Sequence, residues 1–133
     1  MAIVVGFVPT NEGRAALRRA AEEARLRSTR LVVINSNRGG KDLAADEAAR
    51  YDAELETVKR ELTEAGVDHE VRQIVRGLEP VEDLIAVAEE TQADFIVIGL
   101  RRRTPVGKLI LGSNAQRILL DAPCPVLAVK ADA

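Results

Sequence analysis

The stretch AIVVGFVPTNEGRAALRRAAEEARLRSTRLVVI, residues 2–34, holds a strand, a helix and a second strand in direct succession. Its two ends, residues 2–7 and 31–34, are short and almost continuously apolar, which is typical of strands buried on both faces. Between them, from Asn11 or Glu12 to about residue 27, small and aliphatic residues recur at steps of three and four, as in an amphipathic helix. A strand, a helix and a strand in this order predict a parallel pair joined by a crossover.

The same alternation continues to the end of the chain. An apolar rhythm over residues 44–65 predicts a second helix that ends before Gly66, and the more polar run 67–75 predicts an edge strand. Pro80 fits the first turn of a third helix. The remaining predicted elements are a strand at 95–98, a helix at 113–121 and a strand at 126–129. We therefore predict one α/β domain over residues 1–133, with a doubly wound five-stranded parallel sheet and helices on both faces.

The composition limits the classes of function. Apolar residues make up 47% of the 133 positions and charged residues 30%, a globular balance, and the net charge of −2 offers no general attraction for nucleic acid. The single cysteine, Cys124, cannot form an internal disulfide, and no residues have the spacing of metal ligands. No apolar run approaches the length of a membrane span, and residues 1–5 lead straight into a strand. We expect a cytoplasmic protein without a metal, nucleic-acid or membrane partner.

In an open parallel sheet, ligands bind outside the carboxyl ends of the strands, where the winding direction reverses. We therefore take the candidate ligand-binding residues from the strand ends and from the helix start that follows the fourth strand. The candidates are Gly6, Val8, Asn35, Ile98, Gly99, Arg101, Arg102, Gly112, Ser113 and Asn114.

The segment after the fourth strand is the most informative of these. Gly99 would let the backbone pass close to a ligand, and Gly112 and Ser113 open a helix whose free N–H groups and capping hydroxyl can hold an anion. Arg101 and Arg102 add cations that can bind a phosphate with paired hydrogen bonds. The pattern indicates a small phosphate-containing ligand. A purely structural turn, a helix cap and solvated arginines remain an open alternative from these residues alone.

Several motifs resemble the universal stress protein family. The segment IGLRRRTPVGKLILGS at 98–113, followed by APCPVL at 122–127, is similar to the carboxyl-terminal half of these proteins. Near the start, VVGFV at 4–8 resembles their first strand, and RGLEP at 76–80 resembles their glycine turn before the third helix. The resemblance spans essentially the whole chain.

The resemblance carries expectations about fold, ligand and assembly. It implies a Rossmann-like fold of the adenine nucleotide alpha hydrolase type and a crevice for ATP, AMP or another adenine nucleotide. It also implies a regulatory role in stress response. Family members commonly dimerise through their last strands, and here the last strand, from Pro125 to Lys130, is an apolar segment expected at a sheet edge. We therefore expect a homodimer.

Two positions depart from the pattern of the members that bind ATP. Those members have Gly, two residues, Gly, nine residues, then Gly-Ser or Gly-Thr; Gly99, Gly112 and Ser113 match, but Arg102 replaces the second glycine. They also carry an aspartate after the first strand that contacts the nucleotide, where this chain has Val8. Loss of that acceptor is expected to weaken ATP binding by roughly one hydrogen bond.

Catalysis is the weaker interpretation of this sequence. His69, the only histidine, lies on the polar edge strand, where a solvated or salt-bridged role is expected, and Cys124 is expected to be a buried structural thiol. We therefore predict a binding protein and not an enzyme. A homodimeric interaction module with a vestigial site is the first alternative, and a slow ATPase, left open only by the resemblance, is the second.

Overall fold

The computed structural model describes residues 1–37, 45–75, 80–100 and 112–131. The predicted alternation of strands and helices is confirmed along the chain. The elements are β1 (Ala2–Gly6), α1 (Asn11–Arg27), β2 (Arg30–Asn37), α2 (Ala45–Glu64), β3 (His69–Val75), α3 (Pro80–Thr91), β4 (Phe95–Leu100), α4 (Ser113–Asp121) and β5 (Val126–Lys130). Within these ranges, no helix is both long enough and apolar enough to cross a membrane.

Two strands have bounds that differ from the prediction. In each case the backbone hydrogen bonds, and not the apolar run, decide where the strand begins or ends. β2 continues past Ile34 because its polar end still pairs with β3, up to Asn37 opposite Val75. β3 begins at His69 and not at Val67, because the Val67 N–H donates to the Leu62 carbonyl at 3.0 Å and so belongs to the end of α2.

The sheet has the strand order β3-β2-β1-β4-β5, and all neighbouring strands are parallel. The chain adds β2 and β3 on one side of β1 and then returns to add β4 and β5 on the other. The winding direction therefore reverses between β1 and β4, and β3 and β5 lie at the edges. This arrangement confirms the doubly wound fold.

Each face of the sheet has its own apolar core. Along β1, Ile3 and Val5 pack against α1 and α2, whereas Ala2 and Val4 pack against α3 and α4. Both faces are covered, so the strand carries no polar alternation, and this explains why the stretch that begins the chain is continuously apolar.

Ion pairs join the edge strand β3 to β2 and to α3. Arg72 bonds Glu70 on its own strand and Glu90 on α3, and Arg30 of β2 reaches Glu70 at 3.2 Å. The hydrogen bond from Arg72 holds the pKa of Glu70 below its usual value, and the same carboxylates raise the pKa of Arg72. Charged side chains on an edge also oppose pairing with other chains.

Candidate functional site

A cleft of about 180 Å³ lies at the carboxyl ends of β1 and β4, where the winding direction reverses. Its wall is formed by the ends of these strands, by Ile34 within β2, by the first turn of α1, and by α3 and α4. Most of this wall is aliphatic or backbone. Among the described residues, Glu12 is the only charged residue that lines it. The cleft thus has an apolar floor, and the first turns of α1 and α4 border it.

Five of the ten predicted site residues line this cleft. They are Gly6, Val8, Ile98, Gly99 and Asn114. Val8 is 44% exposed, so the position that faces a ligand on the β1 side is apolar and open. Arg101 and Arg102 lie outside the described residues. Whether any of the ten contacts a ligand stays a prediction.

Asn35 is close to the cleft but does not line it. Its side chain is 1% exposed, and its Nδ2 donates to the carbonyl of Phe7, a residue of the cleft wall, at 3.2 Å. Asn35 therefore lies behind the wall.

The structure gives Gly99 a different reason to be glycine. A Cβ on Gly99 would lie 2.1 Å from the carbonyl oxygen of Glu12, so the missing side chain lets the first turn of α1 pack directly on β4. Gly13 has the same property, since its Cβ would lie 1.9 Å from the carbonyl oxygen of Val8. Sequence reasoning missed Gly13. A glycine in the first turn of a helix of good helix formers was the available signal.

The predicted capping role of the Ser113 hydroxyl is wrong. Gly112 is the N-cap of α4, with φ −68° and ψ 166°, and it makes no side-chain capping bond, while Ser113 is the first helical residue and is exposed. Gly112 has no side chain, so among the residues that the structure describes the N-cap supplies no acceptor to the first N–H groups of α4, and these groups can donate to an external acceptor. Asn114, in this first turn, lines the cleft, so this helix start faces the candidate ligand site.

Cys124 and His69, the two residues weighed for catalysis, lie at the opposite end of the sheet. Cys124 precedes β5 and His69 starts β3, so both are at the amino ends of their strands, away from the cleft. Cys124 is half-buried, not fully buried as expected, and burial raises the pKa of its thiol. The ring of His69 donates from Nδ1 to the Val67 carbonyl at 2.8 Å, so its partner is backbone and not a carboxylate.

The described residues do not form a metal site. Across the described ranges, no three His, Cys, Asp or Glu side chains are grouped so that they could hold a metal ion.

Comparison with known proteins agrees with this architecture. The family model of the universal stress protein family matches residues 1–130. A universal stress protein of Mycolicibacterium smegmatis is 45% identical over 128 residues, which cover 96% of each chain. Among solved structures, a universal stress protein from Archaeoglobus fulgidus superposes with a TM-score of 0.82 at 37% identity, over 98% of both chains.

A further solved structure informs the ligand site. It is a universal stress protein from Archaeoglobus fulgidus in complex with dAMP, with a TM-score of 0.76 and 32% identity over 98% of both chains. From the match of the family model over almost its whole length and from its 45% identity to a curated member, this chain belongs to the universal stress protein family.

Proposed function

We propose that this chain binds an adenine nucleotide, ATP or AMP, in the cleft at the ends of β1 and β4, and that it acts as a regulatory binding protein in stress response. The observation that carries the proposal is the pairing of an apolar cleft with the uncapped start of α4. An apolar floor suits a purine ring, and free helix N–H groups suit a phosphate. The relative in complex with dAMP supports the same class of ligand.

Val8 determines how strong this binding is expected to be. It is apolar and half-exposed, at the position where the resemblance to ATP-binding members of the family implies an aspartate. The nucleotide therefore lacks one hydrogen-bond acceptor on the β1 side, and we expect weaker binding than in those relatives, with most of the polar recognition on the phosphate side.

Calorimetric titration with ATP, AMP and cyclic AMP tests the proposal. The double variant Ser113→Ala, Arg102→Ala removes a hydroxyl at the start of α4 and a cation, and we expect it to raise the Kd of AMP by about tenfold or more. Arg25→Ala is the matched control, because Arg25 is exposed in the last turn of α1, at the far end of the sheet. Equal affinity in the double variant and the parent would refute the phosphate site.

A second candidate, a homodimeric interaction module, is favoured by strand β5. β5 lies at a sheet edge, yet Val126, Leu127 and Val129 are apolar and only half-buried. An edge of this kind can pair antiparallel with a second copy about a two-fold axis.

Light scattering tests this assembly, and we expect a dimer. Leu127→Pro removes a backbone donor from β5 and should convert the dimer into monomer or aggregate. A proline at Lys130, the last residue of β5, is the milder control. A parent chain that stays monomeric at high micromolar concentration would contradict the dimer and leave the nucleotide proposal standing.

A further inference from the structure

The side-chain amide of Asn35 is buried and only half satisfied. Its Nδ2 donates to the Phe7 carbonyl at 3.2 Å, while its Oδ1 has no hydrogen-bond partner in the part of the chain that the structure describes. Because a carbonyl can only accept, the donor end of the amide must face Phe7. The orientation of the amide is therefore set, and the oxygen is the atom left over.

This bond lies where β1 leaves the sheet. The paired register of β1 and β2 ends at Gly6 opposite Ile34, and β2 continues to Asn37 along β3. The Phe7 N–H still donates to the Ile34 carbonyl at 2.8 Å. In a continuing parallel ladder the Phe7 carbonyl would accept from a backbone N–H of β2. Here it accepts from a β2 side chain, at the residue where β1 turns away from its neighbour.

The segment that follows is the rim of the cleft, which we define as residues 7–10. Val8 lines the cleft, and its carbonyl accepts from the Thr10 N–H at 2.8 Å and lies against the face of Gly13 that lacks a side chain. The rim is thus held from the α1 side by Gly13. Asn35 holds it from the β2 side.

A buried acceptor without a partner destabilises a folded protein. An apolar side chain of similar size would remove that acceptor but would leave the Phe7 carbonyl without its donor, so the two costs roughly cancel and stability does not favour the amide. The amide at this position is therefore explained by something other than stability. We propose that Asn35 is a positioning residue of the nucleotide cleft, which sets the rim through the Phe7 carbonyl. The inference rests on the proposed function for its ligand and on the Asn35–Phe7 bond for its geometry.

The variant Asn35→Leu separates positioning from stability. It removes one unpartnered acceptor, Oδ1, and creates another, the Phe7 carbonyl, so we expect a Tm within about 3 °C of the parent. The rim loses its tether, so the Kd of AMP should rise about fivefold. Hydrogen exchange of the Thr10 amide should speed up by a similar factor, with or without nucleotide. A merely structural residue would lower the Tm and leave the affinity of the folded fraction unchanged.

Gln73→Leu is the matched control. Gln73 is the register partner of Asn35 on β3, and its exposed amide lies 3.5 Å from Asp52 Oδ1, so the same change there should leave AMP affinity and Thr10 exchange at parent values. If Asn35→Leu does not fold, Asn35→Ala repeats both measurements with a side chain that fits the same space.

The two proposals fail in different ways. A parent chain that binds neither AMP, ATP nor dAMP refutes the proposed function, and Thr10 exchange then decides the role of Asn35 alone. Unchanged Thr10 exchange in Asn35→Leu overturns the positioning role, whatever the nucleotide affinity.

Discussion

The first turns of α1 and α4 both face the cleft, and they are built in opposite ways. In α1, the Thr10 hydroxyl accepts from the Gly13 N–H at 3.1 Å. In α4, the N-cap is Gly112, which has no side chain to offer. The α1 start is closed by its own cap, whereas the N-cap of α4 supplies no side-chain acceptor to the first N–H groups of that helix.

The glycines of the two regions show the same contrast. Gly13 and Gly99 are in backbone contact, with Val8 and Glu12 respectively, whereas a Cβ on Gly112 would meet no described atom within 4 Å. Gly13 and Gly99 are needed for close packing, whereas no described residue packs against Gly112. The α1 side is closely packed, and the start of α4 is where we expect an anion to bind.

We expect the largest loss of stability when a methyl group is added to Gly13 or Gly99, the two glycines in close backbone contact. Gly13→Ala and Gly99→Ala each force a backbone carbonyl to move, so we expect each to lower the free energy of unfolding by about 2–3 kcal/mol or more. Gly112→Ala has the room and the φ for a side chain and should cost less than about 1 kcal/mol. Urea denaturation measures all three. Equal losses at Gly112 and Gly13 would contradict the proposed difference between the two helix starts.

A smaller effect separates the two helix caps. Thr10→Ala removes the capping acceptor of α1 and should lower the free energy of unfolding by about 1 kcal/mol. Ser113→Ala removes an exposed hydroxyl that caps nothing and should change it by less than about 0.5 kcal/mol. Thermal unfolding of the two variants side by side checks this. A larger loss in Ser113→Ala would mean that the start of α4 is closed after all.

The smallest expected effect concerns the ligand. Val8→Asp places a hydrogen-bond acceptor in the cleft, at the end of β1. Because residue 8 is 44% exposed, the new carboxylate can stay hydrated when no nucleotide is bound. We expect the Kd of ATP to fall about fivefold. Val8→Leu, which adds no acceptor, is the control and should bind as the parent does. Calorimetry that finds no gain in Val8→Asp would show that the pocket is lost, and not only the acceptor.

The sequence predicted the order of the elements because apolar periodicity is a local property. The continuous runs at 2–7 and 95–98 indicated strands covered on both faces, and the structure packs helices on each side of β1 and β4. Five of the ten predicted site residues line the cleft at the carboxyl ends of β1 and β4, and their contact with a ligand stays a prediction.

Individual roles were harder to predict. Ser113 was expected to cap α4 because serine is common at that position, but the backbone places Gly112 there instead. Gly99 was interpreted through a ligand, and its contact is the Glu12 carbonyl. Gly13 was not singled out: a glycine among good helix formers was a visible signal, but its contact with the Val8 carbonyl appears only in the structure.

The alternation of strands and helices and the family could thus be inferred from the sequence, and so could the edge of the sheet at which the cleft lies. These follow from the spacing of apolar residues and from short motifs, which are properties of neighbouring residues. Only the tertiary structure decided that Gly99 meets Glu12, that Gly13 meets Val8, and that Asn35 holds Phe7 with half of its amide unpaired. Each of these contacts joins the backbone of one element to another part of the chain, and such distances are set by packing and leave no mark in periodicity.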